Sequence, residues 1–306
     1  MSPDDYCQDK AAASGSSFYY SFLFLPPRRR RAITALYAFC REVDDVVDET
    51  EDAGVARVKL AWWRTEVERL FAADPTHPVT RALAPHLTAY DITRGRLIEV
   101  IDGMQMDLEQ NRYLDFTGLA LYCRRVAGVV GEMASSIFGR TDPATLRYAD
   151  ALGLAFQLTN IIRDVGEDAR KGRVYLPIED LQRFGVSVND ILAARHGEAF
   201  VALMRFQAER ARQCYRDAYA LLPEVDRRAQ RPGLIMAAIY STLLEEIERD
   251  RFLVLDRRTS LTPIRKLLLA WKTWVTGRPP GFESARRGAV GRGAPPASRG
   301  RDTEAG

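Results

Sequence analysis

Long stretches of this chain repeat their apolar residues every three to four positions, the period of an α-helix, and almost nowhere alternate apolar with polar. Gly and Pro fall mostly at the breaks between those stretches. The pattern predicts helices over about 28–48, 53–73, 79–90, 94–109, 115–137, 143–168, 178–182, 187–194, 197–221, 223–226, 232–255 and 261–276. Helices alone must then bury the core, so the expected architecture is an all-α bundle around an apolar interior. With 306 residues, 46% of them hydrophobic, one large domain over 1–276 is favoured over two. From Gly277 onward the chain is rich in Gly, Pro, Arg and Ser and nearly empty of large apolar residues. A disordered basic tail is expected over 277–306.

Charge and cysteine usage exclude several classes of function. The 44 Lys and Arg against 41 Asp and Glu leave +3, which is no argument for a nucleic-acid partner. The longest apolar-rich stretches, Phe18 to Pro27 and Leu234 to Leu244, fall short of the roughly 18 residues that a spanning helix needs. Met1-Ser2-Pro3-Asp4-Asp5 opens acidic where a secretory signal would be basic, so a cytoplasmic location is expected. The basic tail would add attraction to anionic lipid at the inner face of the membrane. Cysteines at 7, 40, 123 and 214 lack CxxC spacing and have only three histidines beside them, so neither a zinc site nor a disulfide framework is expected.

Asp-x-x-x-Asp occurs on two separate predicted helices. On the first, Leu36, Cys40, Val43 and Val47 form one stripe at about 100° per residue, and Tyr37, Arg41, Asp44 and Asp48 form a second about a quarter turn away. Glu42, Asp45 and Glu49 lie farther round, toward solvent. The second helix repeats the arrangement, with Leu154, Leu158, Ile161 and Val165 beside a polar column of Gln157, Asn160, Asp164 and Asp168. Arg41 pairing with an acid one turn away would contribute only about 0.2–0.5 kcal/mol, and two carboxylates at i, i+4 repel by a similar amount. Two such columns facing one cavity would each cost several kcal/mol unless cations neutralised them. Magnesium suits such a site, because it prefers oxygen and is commonly held by one or two carboxylates together with substrate phosphate. Asn160 and Gln157 add neutral oxygen, while Arg41 and Arg163 are fixed guanidinium donors for phosphate. Such a site would neutralise a diphosphate as its C–O bond breaks, and a dry apolar cavity would protect the allylic cation that remains.

The runs Tyr37-Ala38-Phe39-Cys40-Arg41-Glu42-Val43-Asp44-Asp45-Val46-Val47-Asp48 and Gln157-Leu158-Thr159-Asn160-Ile161-Ile162-Arg163-Asp164-Val165-Gly166-Glu167-Asp168 resemble the two signatures of the squalene and phytoene synthase family. Tyr122-Cys123-Arg124-Arg125-Val126-Ala127-Gly128-Val129-Val130-Gly131-Glu132 is similar to that family's central helix. The resemblance covers about residues 5 to 275 and implies an isoprenoid synthase fold that joins two isoprenoid diphosphates head to head through a cyclopropane. It implies that Asp44, Asp48, Asp164 and Asp168, with Asn160, hold two or three magnesium ions. Tyr37, Arg41 and Tyr122 would join those aspartates in catalysis. Ser17 and Phe18 match a flap over the diphosphate, and Lys171, Arg173 and Tyr175 match a diphosphate-contacting segment. Tyr37, Arg41, Gln157, Asn160 and Arg163 match polar cavity residues, Val126 and Ala127 the cavity wall, and Tyr240 and Arg257 late contacts to the second substrate.

Each match has a plainer rival: Ser17 as a helix cap, Tyr122 and Tyr240 as core tyrosines, Lys171 and Arg173 as cations favoured at a helix C-terminus. The opening Tyr6–Phe22 and the stretch Ile101–Leu108 look most like the bacterial branch that condenses two farnesyl diphosphates to presqualene diphosphate and leaves reduction to a downstream squalene-forming enzyme of hopanoid synthesis. No Gly-rich dinucleotide fingerprint is present, and no NADPH is expected. Phytoene synthase, acting on geranylgeranyl diphosphate, and a squalene or dehydrosqualene synthase are the alternatives.

Overall fold

The computed structural model describes residues 1–13, 18–50 and 52–279; Ser17 and residues 280–306 of the expected tail lie outside the described residues. In chain order the helices are α1 (Pro3–Ala13), α2 (Phe18–Phe22), α3 (Pro27–Asp48), α4 (Ala53–Phe71), α5 (Pro78–Leu83), α6 (Arg94–Glu109), α7 (Phe116–Cys123) and α8 (Val129–Phe138). There follow α9 (Ala144–Arg170), α10 (Ile178–Arg183), α11 (Val188–Leu192), α12 (Glu198–Leu221), α13 (Arg231–Arg249) and α14 (Pro263–Thr276). Among the described residues there is no strand, only an isolated bridge between Arg112 and Val174. The chain is all-α, as its periodicity predicts. None of the described helices is long and apolar enough to cross a membrane.

The differences from the sequence reading have local causes. α1 and α2 were not predicted, because α1 buries little beyond Cys7 and Ala11 and so carries almost no apolar stripe. The helix expected over 79–90 stops at Leu83, where Pro85 removes a backbone donor and the chain tightens into two 3₁₀ turns. The helix expected over 232–255 ends at Arg249, because Arg251 and Phe252 turn left-handed, with φ of 52° and 56°. That turn drives the Phe252 ring into the core. The single helix expected over 115–137 is continuous but carries a π-helical turn, Arg124–Gly128, between α7 and α8.

Two apolar cores meet at the centre of the bundle. One gathers Ala32, Leu36, Phe39 and Val43 of α3 with residues of α4, α5, α6 and α8. The other gathers Leu152, Leu158, Ile161 and Val165 of α9 with residues of α7, α12 and α13. A fully buried side chain of this size contributes about 1.5–3 kcal/mol, so each core fixes its own helices firmly. What sets the spacing between them is glycine. A Cβ at Gly153 of α9 would lie 2.6 Å from the carbonyl oxygen of Ala127 and 2.8 Å from Gly128 Cα, and one at Gly131 would lie 2.6 Å from the Ala149 oxygen. The central helix and α9 therefore touch backbone to backbone.

Both ends of α9 are fixed by charge. At the N-terminal end the buried Asp226 accepts from the Thr141 and Asp142 amides at 2.9 and 3.0 Å and from the Thr141 and Thr145 hydroxyls at 2.6 Å each. A carboxylate there satisfies the amides of the segment that leads into α9 and complements the helix dipole. At the other end Arg170 and Lys171 sit where cations are favoured, and Gly172, at φ 74°, turns the chain back. The Val174 amide then donates to the Asn111 oxygen at 3.2 Å, fixing this return segment beside the end of α6.

Candidate active site

The two acidic columns face a single cleft. Asp44 and Asp48 of α3 line it together with Asn160, Arg163, Asp164 and Asp168 of α9. α6 adds Asp107, α7 adds Tyr122, and the return segment adds Lys171, Arg173 and Tyr175, around a volume of about 710 Å³. Cations already bridge the walls. Arg173 and Lys171 reach Asp48 at 2.9 and 3.2 Å, joining the end of α9 to the end of α3. Arg41 pairs with Asp44 at 2.5 Å, and Asp164 is paired with Arg163 and, at 2.9 Å, with Arg258.

Burial and pairing separate the acids electrostatically. Burial pushes the Asp44 carboxyl up to about 6 despite Arg41. Burial pushes Asp168 up to about 8, the neighbouring Asp164 charge adds to that, and Arg173 opposes it. Burial also works against ionisation of Asp48, yet Arg173 and Lys171 outweigh it and hold that carboxyl below the ordinary range. Among the described residues no three His, Cys, Asp or Glu side chains form a ready-made metal cluster. The buried Asn160 Oδ1 has no hydrogen-bond partner. An uncompensated buried oxygen of this kind costs about 1–3 kcal/mol.

Below the cleft lies an apolar chamber of about 170 Å³ between the two cores. Phe18 and Phe22 of α2, Leu36 and Tyr37 of α3, Val126 and Ala127 of the π turn, and Phe156 of α9 form its walls, while Phe138, Tyr148 and Met236 close its far end. Gln157 and Asn160 line both spaces. A charged mouth thus opens onto a dry pocket, the geometry suited to an amphiphile with an anionic head and a hydrocarbon tail.

The family model for squalene/phytoene synthase matches residues 11–265. This chain belongs to the squalene/phytoene synthase family. It is 36% identical over 283 residues to a 15-cis-phytoene synthase of Synechocystis sp., covering 89% of this chain and 84% of that protein. Among solved structures, a dehydrosqualene synthase in complex with ligand superposes with a TM-score of 0.78 at 28% identity, covering 88% of this chain and 94% of that one. The squalene synthase HpnC from Alicyclobacillus acidocaldarius superposes with a TM-score of 0.71 at 28% identity, covering 82% and 94%. The isoprenoid synthase fold expected from the two signatures is therefore present.

Most residues that the resemblance singles out in this chain come together. Phe18 lies against Tyr37, ring centroids 5.6 Å apart, and both line the chamber with Val126 and Ala127. Tyr122, Arg41, Lys171, Arg173 and Tyr175 line the cleft. Tyr240 lines neither space described; it is buried behind Phe156, 5.1 Å between rings. Arg257 departs from expectation. It points away and pairs with Asp250 at 3.0 Å, and its neighbour Arg258 enters the cleft instead. Successive side chains leave the backbone in different directions, so only one of two adjacent arginines can turn inward. Glu42 and Asp45, expected toward solvent, are covered by the unpredicted α1, whose Lys10 reaches them at 3.0 and 2.8 Å.

Asp107 received no role from sequence, yet from α6 it lines the same cleft as the two acidic columns. It accepts from the hydroxyls of Tyr122 at 2.9 Å and Tyr175 at 2.7 Å, and burial pushes its carboxyl up to about 6. The signal was available: Val100, Met104 and Asp107 fall at i, i+4 and i+7, so the acid continues a stripe whose first two members are buried.

The signs of these shifts give a pH expectation. Asp44, Asp107 and Asp168 bind protons more tightly folded than unfolded, so the stability they contribute is complete below the ordinary carboxyl range and is lost as pH rises to about 8. In metal-free buffer Tm is expected to fall between pH 5 and about 8, and magnesium with pyrophosphate is expected to flatten the slope. Thermal scans across that range check it; a Tm that rises with pH would show that burial does not dominate these groups.

Proposed function

We propose that this synthase joins two farnesyl diphosphates head to head, releases diphosphate and stops at presqualene diphosphate. The observation that carries the reading is the charged cleft continuing into the apolar chamber through Gln157 and Asn160. Its support for the shorter substrate is the likeness of Tyr6–Phe22 and Ile101–Leu108 to the presqualene-forming branch, together with the chamber's bulky far end. A second reading, phytoene synthesis from geranylgeranyl diphosphate, is favoured by the name of the Synechocystis relative.

The donor set fits magnesium. Asp44, Asp48, Asp164, Asp168 and Asn160 offer only hard oxygen, and Asn160 brings an oxygen that no protein donor satisfies. Bound there, the metal would supply charge neutralisation as the diphosphate departs. Arg41, Arg163, Lys171, Arg173 and Arg258 bring the hydrogen-bond donors that phosphate oxygens need. Phe18, Phe22, Leu36 and Phe156 keep water from the carbocation. Attack by the second substrate's C2–C3 alkene on that cation, followed by proton loss, closes the cyclopropane. Burial, with Asp107 beside it, raises the Tyr122 hydroxyl well above its usual range, so Tyr122 holds and donates its proton to Asp107. The departing diphosphate is the better base.

Purified protein with magnesium and either farnesyl or geranylgeranyl diphosphate, with and without NADPH, tests the assignment by product mass. Presqualene diphosphate from the shorter substrate in both tubes is expected. Squalene formed with NADPH, or phytoene formed faster from the longer substrate, would overturn it. Chain length is set at the chamber's end: Phe138→Ala is expected to raise kcat/KM for geranylgeranyl diphosphate at least about tenfold relative to farnesyl diphosphate. Unchanged selectivity in competition assays would place the length gauge elsewhere.

A further inference from the structure

We propose that the outward face of α14 is a lipid-docking surface that seats this synthase on an anionic bilayer beside the wall of its apolar chamber. α14 is amphipathic, with Arg265, Lys266, Lys272, Thr273 and Thr276 toward one side and a broad apolar face on the other, and an apolar helix face is expected to be covered. The protein covers one side only. Ala270 and Thr273 are buried there, and Trp274 stacks on Phe24 at 5.0 Å. Opposite them, Ile264, Leu267, Leu268, Trp271 and Val275 recur at i, i+3, i+4, i+7 and i+11, and they are 74%, 48%, 60%, 60% and 58% exposed. That is a continuous apolar stripe facing water along the whole helix.

The surrounding charge indicates what covers it. From 263 to 278 the chain carries Arg265, Lys266, Lys272 and Arg278 and no Asp or Glu, and Arg265 is paired with Glu246 of α13 at 2.7 Å. By helical phase Arg265 and Lys272 border the apolar stripe. Residues 280–306 add five arginines against three acids. A second copy packing through the same face would set these cations against one another, because a two-fold interface brings a patch against itself. A bilayer complements both features, with acyl chains for the stripe and anionic headgroups for the flanking cations, and Trp is at home at that boundary.

The location gives the surface a use. α14 packs on α2, and Lys266 lies 5.6 Å over the Tyr20 ring. Phe18, Ser21 and Phe22 of the same α2 line the chamber. A bilayer seated on α14 therefore lies next to the element that walls the hydrocarbon pocket, so an isoprenoid chain passing between lipid and pocket would cross little water.

Flotation of the full chain with vesicles tests this, using phosphatidylcholine alone and phosphatidylcholine with about 30% phosphatidylglycerol. Wild-type protein is expected to float with the anionic vesicles. The double variant Leu268→Glu, Trp271→Glu is expected to lose about tenfold or more of the bound fraction while keeping turnover on detergent-dispersed substrate. Should that variant not fold, Arg265→Gln with Lys272→Gln carries the test, with loss of the preference for anionic vesicles expected. Wild-type protein that fails to float overturns the proposal, as does a folded double variant that floats equally well. A dimer in light scattering that the double variant dissolves would give the face to a second copy and also overturn it.

Discussion

Replacing Asp168 or Asp44 with Asn is expected to lower turnover by roughly a thousandfold while leaving the metal-free fold as stable as before or more so. Both effects have one cause. Burial raises these carboxyls to about 8 and about 6, so at neutral pH Asp168 stays largely protonated and Asp44 ionises only at a cost to the fold; Asn imitates the neutral form of each without charge. The fold gains nothing from ionising them, which is why they stand as candidates for function over structure. Asn keeps the shape and one oxygen but cannot place negative charge beside a cation at the leaving diphosphate. Steady-state rates with magnesium, together with Tm in chelator, separate the two effects. Near-normal turnover in either variant would remove that residue from the metal assignment, and a large fall in Tm would make its role structural.

Asp226→Ala is expected to have the opposite profile. Its carboxylate is buried and takes two amide and two hydroxyl donors at the start of α9. Hydrogen bonding outweighs burial there and holds it below the usual carboxyl range, so it contributes stability at neutral pH. Truncation leaves several buried donors without an acceptor, each costing about 1–3 kcal/mol, and removes the charge that complements the helix dipole. A loss of about 3–5 kcal/mol and a drop in Tm of roughly 5–15 °C are expected, measured by denaturant titration and thermal scans. Turnover per folded molecule at low temperature is expected to stay within a few-fold of wild type, because the cleft acids lie on the far half of α9. A change in Tm of less than about 2 °C would mean that water replaces the carboxylate at this helix end.

The helical class, the two polar columns and the family were all legible in the order of residues, because each depends on spacing along one helix: 3.6 residues per turn fixes which side chains share a face. Spacing put Asp44 with Asp48 and Asp164 with Asp168, and the same rule would have placed Asp107 on the buried stripe of α6. Only the tertiary structure decided what those faces meet. Gly153 and Gly131 bring α9 against the central helix at a separation that no local pattern encodes, and that approach sets the two acidic walls around one cleft. Tertiary contact decided that Arg257 pairs with Asp250 while Arg258 reaches Asp164 in the cleft, and the cover over Glu42 and Asp45 depends on α1, a helix with almost no apolar stripe. A helix periodicity reports the direction of a side chain about its own axis; the partner across the gap is a contact between residues more than a hundred positions apart, such as Asp48 with Arg173, and only folding brings those together.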